Sequence, residues 1–126
     1  MLPEIAPRRI PTAFRAAPFV TIVTTGDDGP HVVGNWGDYM RVLGIKEDMI
    51  VFPAGRYHQT EKNLRKNSRV QLLVASKKVQ GTRSPGQGCL IIGTGEILNL
   101  GDIVDAVKKK FRLARGAMVI KRFAGV

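Results

Sequence analysis

The strongest constraint on this chain is how briefly its apolar runs last. Val, Ile, Leu and Thr gather in segments of four to ten residues, and glycine, proline or a charged pair stands within or just past each one. Phe19 to Thr25, Met49 to Phe52, Arg69 to Ser76, Cys89 to Leu98 and Ala117 to Phe123 all have this form. Branching at Cβ favours the pleated backbone, and runs this short and this punctuated suit strands better than helices. With 126 residues there is room for one domain and one core. The expected class is therefore a small antiparallel β-barrel with short helices plugging its ends.

Turn chemistry sets the order. Gly26-Asp27-Asp28-Gly29-Pro30 reads as a tight turn between Phe19–Thr25 and a return strand running from His31 to Leu43. Gly34 and Gly37 interrupt that strand and predict a bulge or a close approach by a ligand or another backbone. Lys46-Glu47-Asp48 turns into Met49–Phe52. Thr60 to Asn67 reads as a short helix with Thr60 as its N-cap. Gln80 to Gly88, with Gly81, Ser84, Pro85 and Gly86, reads as a loop. A helix is expected from Asp102 to Arg115, because Asp102 and Asp105 open it and Lys108, Lys109, Lys110, Arg112 and Arg115 close it. Ile103, Val104, Val107, Phe111 and Ala114 form its apolar stripe. Residues 1–18 carry four prolines and hold at most one short helix near Thr12.

Composition excludes more than it selects. The lone Cys89 forbids an internal disulfide and a multi-cysteine zinc site, and it lies in an apolar strand as a core residue would. No apolar run approaches bilayer-spanning length, so the chain reads as cytoplasmic. His31 and His58 lack partners at metal-ligand spacing. There is no GxGxxG or Walker A sequence and no nucleophile motif around Ser84. A net charge of +10 suits an anionic cofactor, an acidic partner or nucleic acid. Against nucleic acid, aromatics make up 6% of the chain and do not interleave with the basic residues on the strands.

Three segments have the chemistry of a site. Val51-Phe52-Pro53-Ala54-Gly55 runs a strand end into small residues and then into His58-Gln59-Thr60 at a helix start. Unpaired N–H groups at such a start favour a phosphate, and the Thr60 hydroxyl could add to them. Ser76-Lys77-Lys78, ending the next strand, could supply countercharge. Gly34-Asn35-Trp36-Gly37 could let a flat ring approach the backbone, with Pro53, Ala54 and Gly55 as the opposite wall.

Taken in one register, TIVTTGDDGPHVVGNWGDYMRVL, MIVFPAGRYHQTEKN, RVQLLVASKKVQGTRSPGQGCLIIGTGEI and FRLARGAMVI resemble the small FMN-binding split-barrel proteins of the pyridoxamine 5′-phosphate oxidase-like superfamily. The resemblance implies a mainly β, six-stranded antiparallel Greek-key split barrel with two or three short helices. It implies a homodimer with one FMN per subunit at the interface. It places Asn35 and Trp36 along the isoalloxazine, Pro53, Ala54 and Gly55 at the ring border, Thr60 at the phosphate, and Ser76, Lys77 and Lys78 near it. Leu113 and Arg115 would come across from the partner subunit.

Three residues depart from the family pattern. Gln59 stands where relatives often carry Lys, Gly34 where some carry a side-chain amide, and Leu113 where an aromatic can cover the flavin. The longer C-terminal part that handles substrate in pyridoxamine 5′-phosphate oxidases is missing from this chain, so that activity is not expected. The expected function is an FMN-dependent oxidoreductase or electron-transfer protein working with a small-molecule or protein redox partner. The alternatives are a split barrel holding another redox cofactor, such as F420 or haem, and a basic nucleic-acid-binding barrel.

Overall fold

A computed structural model describes residues 12–43, 45–46, 49–80 and 85–125. The N-terminal prolines Pro3, Pro7 and Pro11, the acids Glu47 and Asp48, and the loop residues Gly81 and Ser84 lie outside them.

In chain order the elements are α1 (Thr12–Ala16), β1 (Phe19–Gly26), β2 (Gly29–Trp36), α2 (Gly37–Leu43), β3 (Ile45–Lys46), β4 (Met49–Ala54), α3 (His58–Lys66), β5 (Arg69–Gln80), β6 (Pro85–Leu98), α4 (Asp102–Lys110) and β7 (Gly116–Gly125). Six long antiparallel strands and the two-residue β3 make one sheet ordered β2-β1-β5-β6-β7-β4-β3. β4 lies beside β7 rather than beside β5, which follows it in sequence, and this gives the Greek-key path.

The sheet curls because strands far apart in that order share one core. Val20 and Ile22 of β1, Val70 and Leu72 of β5, Ile91 of β6, Met118 and Ile120 of β7, and Ile50 and Phe52 of β4 fall in a single buried cluster. Phe14 of α1, Met40 of α2 and Leu64 of α3 close its ends. β4 is buried on both faces, since Val51 points away from that core and packs with Val104 and Val107 of α4. A strand covered on two sides needs no polar alternation, which is why Met49–Phe52 is a continuous apolar run. Of the expected apolar stripe, Ile103, Val104 and Val107 lie on α4 between its acidic start and its lysine end, and Phe111 and Ala114 pack in the same cluster past the end of the helix.

Several boundaries differ from expectation. β2 does not run on to Leu43 but stops at Trp36, and Gly37–Leu43 is helical. The described residues hold four helices, where two or three short ones were expected. Gly37 explains the turn from strand to helix: a Cβ there would lie 1.8 Å from the Ala17 carbonyl oxygen, and its N–H donates to Pro18 O at 3.0 Å. The predicted close approach by another backbone is thus real at Gly37. At Gly34 there is no bulge, because β1 and β2 pair in unbroken register. The Phe19 ring lies over Gly34 instead, and an added Cβ would meet its Cζ at 2.0 Å. The last helix stops at Lys110 rather than Arg115. β5 and β6 extend to Gln80 and from Pro85, beyond the expected Ser76 and Cys89.

Candidate functional site

The strand-to-helix passage after β4 is held by several hydrogen bonds around a left-handed residue. Pro53 and Ala54 end the strand, Gly55 and Arg56 turn, and Tyr57 opens α3 in the left-handed region at φ 51°, ψ 31°. A non-glycine residue held there is strained and needs other contacts to keep it. Those contacts come from its hydroxyl, which donates to Gly34 O at 2.6 Å and accepts from Asn35 Nδ2 at 3.0 Å. Asn35 Nδ2 also donates to Pro53 O at 3.1 Å, and Asn35 Oδ1 accepts from Trp36 N at 2.8 Å. β2 and β4 occupy opposite ends of the sheet, apart from the short β3, and here side chains rather than a ladder join them. Burial pushes the Tyr57 phenol above its ordinary pKa, and the Asn35 amide counters only part of that, so the hydroxyl keeps its proton at neutral pH.

Thr60 is not the N-cap. Tyr57 holds that position without a side-chain cap bond, and the first helical bond runs from Glu61 N to Tyr57 O at 2.9 Å. Thr60 sits in the first turn, fully buried, with no hydrogen-bond partner for Oγ1. Such a burial costs about 1–3 kcal/mol unless something else meets the group. The N–H groups of His58, Gln59 and Thr60 precede that first helical bond and have no acceptor within α3.

A charged cluster braces the same helix. Glu61, nearly buried, accepts from Arg115 Nη2, Arg65 Nη2 and Asn99 Nδ2, each at 3.0 Å. Arg115 also donates from Nε to Arg56 O at 2.7 Å and from Nη1 to Asn99 Oδ1 at 2.8 Å. The Asn99 hydrogen bond, with the two arginines, holds the Glu61 carboxyl below its ordinary value. A folded-state pKa lowered this way adds stability that is fully present above the ordinary carboxylate value and is lost as pH falls through the lowered folded-state value. Melting temperatures of the wild type and Glu61→Gln should therefore differ most near neutrality and converge in acid. A gap that does not depend on pH would refute this role.

The other sequence-predicted residues divide between two places. Trp36, Ser76 and Lys77 line a cleft of about 980 Å3 bounded by α1, α2 and the neighbouring ends of β5 and β6, with Arg41 and Gln87. Trp36 is 56% exposed and meets Phe19 edge-on, with centroids 5.4 Å apart. Thr60 does not line that cleft, and Gln59 turns instead to Asn63 Oδ1 at 2.8 Å. Lys78 continues β5, and its side chain lies outside the described residues. Gly55 is open on its Cβ side. Leu113, past the end of α4, is 97% exposed. His58 is exposed, Cys89 is core with its thiol pushed up by burial, and no metal-ligand cluster occurs among the described residues.

Tyr57, Glu61 and Asn99 were not legible as site residues. Glu61 and Arg65 do stand four apart, the spacing of a helical ion pair. Nothing local marks Tyr57, whose partners lie more than 20 residues away.

Comparison with known proteins adds four likenesses. The family model described as pyridoxamine 5′-phosphate oxidase matches residues 7–122. An FMN-binding protein of Nitratidesulfovibrio vulgaris is 41% identical over 101 residues, covering 80% of each chain. Among solved structures, HupZ of Group A Streptococcus superposes with a TM-score of 0.66 at 17% identity, over 82% of this chain and 79% of that one. An FMN-binding protein from Syntrophomonas wolfei gives 0.57 at 18% identity, over 91% and 82%. Both structures share the fold.

Proposed function

The chain belongs to the pyridoxamine 5′-phosphate oxidase family, and from that premise we propose that it is a flavoprotein that binds FMN and exchanges electrons or hydride with a redox partner. The observation that carries this reading is Thr60. A fully buried hydroxyl without a partner, in a helical turn whose first N–H groups have no acceptor within the helix, lacks the acceptor that a phosphate would bring. The phosphate of FMN has that chemistry, and the 41% identical relative is named for the same cofactor.

Bound FMN would supply the redox chemistry. The chain's own residues would hold and orient it. Thr60 and the first turn of α3 take the phosphate, while Gly34, Trp36, Pro53, Ala54 and Gly55 border the ring. Asn35 positions that wall rather than reading the ring, because both its amide protons are already donated. Glu61 is committed to two arginines and Asn99, so it is not poised as a general acid or base. The transfer we propose therefore draws no proton from Glu61.

We also propose a cytoplasmic homodimer. Trp36, Val32, Leu73 and Leu113 leave apolar surface exposed on the sheet and beside α4, which suits a second copy. A second copy would also let Ser76 and Lys77, which do not share a cleft with Thr60, serve the partner's flavin. No helix among the described residues is long and apolar enough to cross a membrane.

The test is the visible spectrum of the purified protein, with the chromophore released by heat and identified by mass. FMN at about one per chain, the one-site expectation, supports the reading. A colourless protein that takes up no added FMN overturns it and makes F420 the next ligand to try. Sedimentation of the flavin-loaded protein reads the assembly, and a monomer would confine the site to one chain.

A further inference from the structure

We propose that Tyr57 is the positioning residue that couples the two halves of the flavin site, so that fixing the ring wall also fixes the phosphate turn. This inference rests on the FMN reading above and deepens it. On one side of Tyr57 lies the ring wall: Gly34 and Asn35 on β2, Pro53 on β4. On the other side, directly following in sequence, lie His58, Gln59 and Thr60, the turn assigned to phosphate.

Three facts put Tyr57 between them. Its hydroxyl is bonded to Gly34 O at 2.6 Å and to the Asn35 amide at 3.0 Å, and that amide reaches on to Pro53 O. Its backbone occupies the left-handed region, a conformation a tyrosine leaves unless it is held. Its side chain packs against the barrel core, which fixes the ring and aims the hydroxyl. The tether at the end of the side chain and the strain in the backbone belong to one residue. Releasing the tether lets the φ angle relax, and the first turn of α3, whose unspent N–H groups depend on that angle, turns with it. The clasp is thus more than a barrel closure: it transmits position from the ring wall to the phosphate turn.

The coupling separates two ligands. FMN contacts both halves, whereas riboflavin has the same ring and no phosphate. Tyr57→Phe keeps the packing and removes only the hydroxyl. The expected result is a fall of about tenfold in the ratio of FMN affinity to riboflavin affinity, the effect of one lost hydrogen bond of preorganisation. A purely structural role would lower the melting temperature and weaken both ligands alike, leaving the ratio unchanged, and that outcome would overturn the proposal.

A second measurement on the wild type does not depend on the variant folding. Coupling is reciprocal, so riboflavin alone should slow amide hydrogen exchange at residues 58–61, where it has no phosphate to place. Slowing confined to residues 32–36 and to residues 54 and 55 would overturn the coupling. A wild type that binds neither ligand would instead refute the FMN reading itself, so the two failures are distinguishable.

Discussion

Replacing Arg115 with alanine is expected to lower stability by about 2–3 kcal/mol and to weaken FMN at the same time. The guanidinium makes three hydrogen bonds to its own chain, at 2.7, 2.8 and 3.0 Å, and one is an ion pair to nearly buried Glu61. Removing it leaves Arg56 O, Asn99 Oδ1 and Glu61 Oε1 each short of a donor. The loss stays below the full range for breaking a buried pair, because the Arg115 side chain is 26% exposed and Arg65 still serves Glu61. Arg56 lies in the turn between β4 and α3, so loosening it disturbs the ring border and the phosphate turn together. Arg115→Lys should recover little, since an ammonium cannot span three acceptors set in a planar fork.

Urea unfolding at several protein concentrations checks this prediction, because a dimer's stability depends on concentration. The resemblance assigns Arg115 to the partner's flavin. Its in-chain bonds instead predict a loss that does not depend on protein concentration. A variant of unchanged stability that lost FMN only in the dimer would return Arg115 to the cross-subunit role.

What could be read from the sequence follows a physical division. The strands were legible because β-branched runs and turn residues are local signals. The dipole-matched α4 was legible for the same reason. Gly37 illustrates the limit. The sequence showed that something must come close there, and contact with Ala17 O decided that the chain would turn into a helix rather than continue the strand. Trp36 and Asn35 illustrate it again: adjacent on one strand, they point to opposite faces. One is left exposed, and the other is spent on a clasp whose acceptors come from β4 and α3. Register between distant elements settles such roles, and no window of sequence contains it.

Thr60→Val is expected to move stability and binding in opposite directions. The substitution keeps the shape of the side chain and replaces the unpartnered hydroxyl with a methyl group. In the protein without cofactor this removes a buried polar atom that has no bond, so stability should rise by about 1 kcal/mol. FMN affinity should fall by about 10- to 100-fold, the effect of losing a charge-assisted hydrogen bond to phosphate. Thr60→Ser, which keeps the hydroxyl, should bind FMN nearly as the wild type does, whereas Thr60→Ala should lose binding and also lose packing. Calorimetric titration with FMN and thermal melts of the cofactor-free proteins give both quantities. The opposed signs make the test severe, because a hydroxyl that served only the fold would not be destabilising in its absence of partners, and removing it would not cost affinity. Wild-type affinity in Thr60→Val would detach the phosphate from α3. A lowered melting temperature there would show that the hydroxyl is bonded in the free protein. A stabilised variant with weak FMN binding would identify Thr60 as a group held at a cost to the fold for the sake of its ligand.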